Sequence, residues 1–367
     1  MKLECSREKI EKALNLAERA TSKNPTLPIL SCILLEAKSN SLLVRATNLD
    51  VGIEVSVPAK VEKEGVVAIK GATLIGFLAN TFSDKQIFIE SADGNVVVKT
   101  NNGEATLKGF PVEDFPKTPK LSGASGIIID GTVLSNGIRS VFYSASISHI
   151  KPELASVVLY GEGKNLVFVS TDSFRLAEKK ISVGLAKDIP QTIIPIKNAT
   201  ELARVSEEFT NKNAKLFIGK NQIAVEGENI YFVSRIVEGS FPDYRQIIPK
   251  ESKTEAVVLK EDLVKSLKMA TVFSDSFNQT TFSVSPGKKK MELKAKSAEI
   301  GEGAITLQSA ISGEPVEISF NHRYFSDCLP SIQSDSVSIS FSGASKPTLI
   351  RGVSDTSFVY IVMPMNR

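Results

Sequence analysis

The stretch Ala68-Ile-Lys-Gly-Ala-Thr73, followed by Leu74-Ile-Gly-Phe-Leu-Ala-Asn-Thr-Phe82, returns later as Pro195-Ile-Lys-Asn-Ala-Thr200, followed by Glu201-Leu-Ala-Arg-Val-Ser-Glu-Glu-Phe209. Thr73 and Thr200 are offset by 127 residues. Two flanking matches agree. Asp114-Phe-Pro116 and Ser240-Phe-Pro242 are offset by 126, and Leu42-Leu-Val-Arg-Ala-Thr-Asn48 and Leu166-Val-Phe-Val-Ser-Thr-Asp172 by 124. Concordant offsets of this size are the signature of an internal structural repeat. A weaker third copy follows, with Met291-Glu-Leu-Lys-Ala-Lys-Ser297 in place of the Leu-x-Val-x-Ala-Thr strand and Phe320-Asn-His-Arg-Tyr-Phe-Ser-Asp-Cys-Leu329 in place of the Ile-Lys-x-Ala-Thr helix. The 367 residues therefore divide into three similar units of about 122, with expected boundaries 1–122, 123–250 and 251–367.

Each unit opens with an amphipathic helix, expected at 7–22, 131–146 and 260–274. In the first, Ile10, Ala13, Leu14 and Ala17 give the i, i+3, i+4, i+7 spacing of a buried stripe. Short alternating stretches follow and predict strands at 41–47, 52–57, 86–90, 96–100, 215–218, 222–226 and 336–341, with a second helix inside each unit. Two helices with many antiparallel strands, three times over, is an α+β class.

Composition narrows the function. Lys plus Arg is 44 and Asp plus Glu 41, a net of only +3, so any nucleic-acid contact must draw on cations gathered onto one surface. The helices supply candidates in Arg7, Lys9, Lys12, Arg19 and Lys23, then Arg139, then Lys197, Arg204 and Lys212 on or beside the fourth helix, and Lys260, Lys265 and Lys268 on the fifth. Interleaved Glu8, Glu11, Glu18, Glu201, Glu207 and Glu208 make each helix, taken singly, an ordinary solvated face. Repetition changes that reading, because equivalent helices on one face sum their charge and attract phosphates without reading bases.

No catalytic constellation emerges. His149 and His322 stand in no nucleophile or metal motif, and G-x-S-x-G, H-E-x-x-H and the phosphate-binding G-x-x-x-x-G-K-[ST] are missing. Gly161-Glu-Gly163-Lys164 and Gly287-Lys-Lys-Lys290 fall between strands and read as hairpin turns. Asp50 and Asp172 read as turn and capping residues. Cys5, Cys32 and Cys328 are far apart and odd in number, the pattern of reduced thiols. No cofactor or metal is expected. The N-terminus has no apolar signal core and no stretch approaches a membrane span, so a cytoplasmic location is expected. Three classes stay open on the residues alone: a DNA tether, an enzyme with its site at a domain boundary, and a peptide-binding scaffold.

Leu27-Pro-Ile-Leu30, Ala46-Thr-Asn-Leu-Asp50, Ser170-Thr-Asp-Ser-Phe-Arg-Leu-Ala177, Phe241-Pro-Asp-Tyr-Arg245 and Tyr360-Ile-Val-Met-Pro-Met365 occur in that order along the whole chain. Together they resemble the bacterial DNA polymerase III beta subunits, the β sliding clamps. The resemblance implies the DNA clamp fold, a head-to-tail homodimer closing a six-domain ring with helices inside, and no catalysis. Its partners would be double-stranded DNA without sequence preference, the polymerase III catalytic subunit, an ATP-dependent clamp loader, and other polymerases and repair proteins that dock through short peptides. By the resemblance, the peptide pocket is lined by Leu154, Thr171, Ser173, Phe174, Arg175, Leu176, Pro242, Ile247, Val362, Met363, Pro364 and Met365, with Arg175 placed to hold a peptide carbonyl or carboxylate. DNA would face Lys12, Lys23, Asn24, Arg139, His149, Lys151, Lys197 and Arg204. The dimer contact would join Leu107 and Lys108 to Val272, Phe273, Glu299 and Glu302, the apolar members dominating. Ser173-Phe174 departs from the family's frequent Gly-His, and Asn24 from a frequent basic residue.

Overall fold

The computed structural model describes every residue except 24–25, 82–83, 93, 122–125, 185, 187–188 and 366–367. The expected boundary at 122/123 and Asn24 lie outside the described residues. Among those described there are six α-helices, two to each third of the chain: α1 Arg7–Glu18, α2 Gly71–Leu78, α3 Gly131–Val141, α4 Ile196–Glu207, α5 Lys260–Thr271 and α6 His322–Cys328. In α1 the buried residues are the four of the sequence stripe, Ile10, Ala13, Leu14 and Ala17.

The first helix of each third stops three to five residues short of its expected end. Threonine hydroxyls donate to backbone carbonyls at two of these ends. Thr21 Oγ1 donates to Glu18 O at 2.7 Å beyond α1, and Thr271 Oγ1 to Leu267 O at 2.8 Å in α5. After α3 the chain tightens into a 3₁₀ turn, Phe142–Ser144.

The chain folds into two compact units, Met1–Leu134 with Glu201–Ile236, and Ser135–Thr200 with Val237–Arg367. The middle third is thus shared out, and strand pairing gives the reason. In the first unit all thirteen strands join one sheet, in which Ile230–Arg235 of the middle third pairs antiparallel with Val51–Lys63 of the first, Ile230 opposite Val55 and Ser234 opposite Val51. In the second unit a nine-stranded sheet is continuous in the same way. Phe358–Val362, the last strand of the chain, pairs antiparallel with Arg175–Ser182, Arg175 opposite Val362 and Leu176 opposite Ile361. Residues Val51 and Arg175, where these receiving strands begin, differ by 124, the offset of the sequence repeat. One junction is therefore built twice from equivalent strands.

Among the described residues, two sheet edges are the counterparts of these paired strands. Glu104–Leu107 ends the thirteen-stranded sheet, and Gly301–Leu307 ends the separate four-stranded sheet of the second unit. Glu104 lies 126 residues before Ile230 and Gly301 lies 126 after Arg175, so these edges correspond to the donating and the receiving strand of the junction. Each presents a row of unpaired backbone donors and acceptors.

The four-stranded sheet and α6 enclose a cluster of fully buried aromatics. Phe282, Phe320 and Phe325 have ring centroids 4.5–5.3 Å apart, each ring within reach of the other two. Phe325→Ala removes the ring that stacks on Phe282 and leaves a cavity, and is expected to destabilise the second unit by about 3–5 kcal/mol. Calorimetry would show it as a depressed first unfolding transition, and an unchanged profile would contradict the packing described.

Candidate functional site

The residues nominated for the peptide site all belong to the second unit. Thr171 closes the tight turn between the strands Asn165–Thr171 and Arg175–Ser182. Its Oγ1 donates to Arg175 O at 2.6 Å and accepts from Ser173 N at 3.1 Å, while Asp172 Oδ1 accepts from the amides of Phe174 and Arg175 at 2.9 Å each. This is the turn role expected of Asp172. Ser173 sits at φ +77°, a left-handed conformation suited to the glycine frequent in the resembling family and here enforced by the two side-chain bonds. The turn displays Phe174 outward with 63% of its surface exposed, and Phe174 O accepts from Met363 N at 2.8 Å. The terminal residues then run on to the strand Val316–Asn321, where Met365 N donates to Ser319 O at 2.8 Å.

Strand register brings Arg175 and Leu176 opposite Val362 and Ile361. Leu154 and Leu176 enter one core cluster with Val158, Val167, Val169, Phe241 and Tyr244. Thr171 and Val362 are buried too, whereas Pro242 and Ile247 remain exposed on the segment linking the middle and last thirds. Of the nominated residues, Leu154, Leu176 and Val362 are buried, whereas Phe174, Pro242 and Ile247 are exposed and Met363 and Met365 half-buried.

Arg175 is engaged within the chain. Its Nε donates to Asp172 Oδ2 at 2.9 Å, its Nη1 to Asp327 Oδ2 at 2.6 Å, and its guanidinium carbon lies 4.4 Å from the centre of the Tyr324 ring. Burial opposes its charge, but Tyr360, Asp327 and Asp172 outweigh burial and keep it protonated. With two carboxylates on one guanidinium the cation is consumed internally, fastening the turn to α6. Asp327 and Tyr324 are contributors that sequence reasoning missed. Asp172 was visible as an i, i+3 partner, but Asp327 lies 152 residues away.

Of the nominated cations, Lys12, Lys23, Arg139, His149, Lys151 and Lys197 are exposed and Arg204 is half-buried. Lys12 forms an ion pair with Glu208, and Arg204 Nη1 meets Glu201 Oε1 at 2.6 Å. Of the nominated interface residues, Leu107 is buried in its own sheet, so the structure gives it less free apolar surface than the sequence implied. Val272 is 60% exposed, and Lys108, Glu299 and Glu302 are exposed. Phe273 is half-buried and packs over Gly303 of the free edge strand, where any Cβ would collide with its ring. Glu302 lies 3.8 Å from Lys296.

The loop after α5 is anchored by His322, which is 3% exposed. Its amide donates to Asn278 O at 2.9 Å and its Nδ1 meets Ser274 Oγ at 3.2 Å. Burial pulls its pKa below the usual 6.5 and Arg323 adds to that, against the opposing influence of the Asn278 carbonyl and Asp275. A histidine that protonates less readily folded than unfolded withdraws stability as pH falls from 6.5 toward its folded pKa. Wild-type protein is therefore expected to lose more melting temperature between pH 7 and 5 than His322→Gln. Parallel pH profiles would exclude the effect.

Models of the three parts of one family match this chain in order: the DNA polymerase III beta subunit N-terminal domain over residues 1–119, the central domain over 128–243 and the C-terminal domain over 245–366. The chain belongs to the DNA polymerase III beta subunit family. A beta sliding clamp from Synechococcus elongatus is 25% identical over 371 residues, covering 100% of this chain and 99% of the relative. The crystal structure of the DNA polymerase sliding clamp from Bacillus subtilis superposes with a TM-score of 0.94 at 25% identity, covering 100% of this chain and 99% of that one. A sliding clamp from Pseudomonas aeruginosa, solved bound to griselimycin, superposes with a TM-score of 0.94 at 24% identity over the whole of both chains. Membership fixes the function class: a sliding clamp of DNA replication that confers processivity and performs no catalysis. No helix among the described residues is long and apolar enough to cross a membrane.

Proposed function

We propose that two copies of this chain close head to tail into a ring around duplex DNA. The observation that carries this reading is the twice-built strand junction. The last strand of the middle third pairs with the first third, and the last strand of the final third pairs with the middle third. The series leaves one donor, Glu104–Leu107, and one acceptor, Gly301–Leu307. Repeating the junction between copies uses both, and six repeats close the ring. A heterologous contact of this kind must close or else grow into a filament, and the quasi-equivalence of three domains, bounded at 1–122, 123–250 and 251–367, supports closure.

In this ring Val272 and Phe273 of one copy meet the sheet edge at Leu107 of the other, with Lys108 near Glu299 and Glu302. The helix cations Lys12, Arg139, Lys197 and Arg204, with Lys23, Asn24, His149 and Lys151 on loops, face the DNA backbone and attract it without base readout, which permits sliding. The surface around Phe174, Pro242, Ile247 and Met363 captures short peptides of the polymerase III catalytic subunit, the clamp loader and repair proteins. Methionine and exposed aromatic side chains adapt to several such partners, and the same reading assigns to this surface the griselimycin that the Pseudomonas aeruginosa clamp binds. The protein acts in the cytoplasm, and ring opening is driven by a separate ATPase.

The test is topological. Protein loaded on nicked circular DNA is expected to stay bound through gel filtration and to be released when the circle is cut once. Equal retention on circular and linear DNA would refute enclosure.

A further inference from the structure

We propose that a hydrogen-bond relay running inward from the surface, Arg245 to Tyr160 to Tyr244 to Glu178, positions the rim of the peptide site that carries Pro242 and Ile247. The inference rests on the reading of that surface as the peptide site and names what holds it in shape.

The rim lies on a segment that needs such help. Residues 238–253 form no strand, and their only regular element is the 3₁₀ turn Tyr244–Ile247. The segment is therefore located by side chains. Phe241 and Tyr244 enter the core cluster that also holds Leu154 and Leu176, with their rings edge-to-face at 6.2 Å. Apolar contacts of this kind bury the segment but leave rotation and sliding weakly restrained, because they lack direction. The relay supplies the direction.

Its geometry runs one way. Arg245 Nη2 donates to Tyr160 Oη at 2.8 Å, the Tyr160 and Tyr244 hydroxyls are 2.7 Å apart, and the Tyr244 hydroxyl donates to Glu178 Oε2. Each hydroxyl thus accepts one bond and donates one, and the series ends on a carboxylate that is 5% exposed. Burial and then the Glu178 bond push the Tyr244 phenol far above its ordinary pKa, which keeps it a donor. The outer end is braced at Glu162, which pairs with Arg245 and accepts from Lys180 Nζ at 2.8 Å. Glu178 and Lys180 lie on the strand that also carries Arg175 and Leu176. The relay therefore joins the linker rim to the strand forming the opposite side of the site. A buried charged acceptor tolerates little displacement of its donor.

The experiment measures griselimycin affinity on the intact protein, with amide hydrogen exchange over residues 241–248 as a ligand-free readout. Tyr244→Phe keeps the ring and cuts the relay at its centre. It is expected to weaken griselimycin by about tenfold, mainly through faster dissociation, and to accelerate exchange in this segment. Glu178→Gln keeps an acceptor oxygen and is expected to stay within about twofold of wild type. If Tyr244→Phe proves unstable, Tyr160→Phe severs the series one step outward with the same expectation. Wild-type affinity and exchange in the Tyr-to-Phe variants, or equal losses in Tyr244→Phe and Glu178→Gln, overturn the relay. Ile247→Asp separates the two readings. Normal griselimycin binding in that variant overturns the site itself, whereas loss there combined with wild-type behaviour of Tyr244→Phe overturns the relay alone.

Discussion

Val272→Asp is expected to convert the ring into single chains, seen as a fall in solution mass from twice 39.7 kDa to 39.7 kDa at micromolar concentration. Val272 is 60% exposed on the C-cap of α5 and makes little of its own unit's core, so the substitution should leave the chain folded. In the proposed ring the partner's sheet edge covers the same position. A carboxylate held there without a partner costs about 3 kcal/mol or more, at least two powers of ten in the dissociation constant. The four-residue edge Glu104–Leu107 contributes too few ladder bonds to compensate. Leu107 is unsuited to the same experiment because it is buried in its own sheet, and a charge there would confuse unfolding with dissociation. A Val272→Asp protein with the mass of a dimer would remove this surface from the interface.

The second large effect concerns the salt dependence of DNA retention. Each phosphate contact made by a lysine or arginine contributes about 0.9 to the slope of log affinity against log salt. If Lys12, Arg139, Lys197 and Arg204 all act, their joint replacement by alanine should flatten the slope by up to about 3.6 per copy. The ion pairs predict an uneven division. Lys197 is exposed on the first turn of α4, whereas Lys12 and Arg204 are engaged by Glu208 and Glu201. Lys197→Ala should therefore remove more of the slope than Lys12→Ala or Arg204→Ala. Glu201→Gln and Glu208→Gln should each strengthen retention, since they release a cation toward the phosphates. Equal effects of all single substitutions, or weaker retention on removing either glutamate, would contradict the arrangement.

Much of the architecture was readable in the linear chain because its signals are local. The stripe of Ile10, Ala13, Leu14 and Ala17 needs only the helical period, and the strands 41–47, 222–226 and 336–341 need only alternation and turn residues. Helix ends were less legible, because hydroxyl-to-carbonyl bonds such as those of Thr21 and Thr271 are not encoded in a pattern of apolar residues. The repeat gave three units, yet the compact units are two. Strand pairing across the thirds depends on contacts such as Ile230 with Val55, 175 residues apart, and on Arg175 with Val362, 187 apart.

The candidate site divides along the same line. Its turn, Thr171-Asp-Ser-Phe-Arg175, is fixed by neighbours within four residues, and the sequence by itself determined it together with the threefold repeat, the α+β class and the family. Only the tertiary structure decided that Asp327 neutralises Arg175, that Tyr244 donates a hydrogen bond to Glu178, and that Leu107 is spent in its own core. Local pattern follows from the backbone's helical and extended periods. Which charge meets which across a hundred residues follows only from how the sheets are joined.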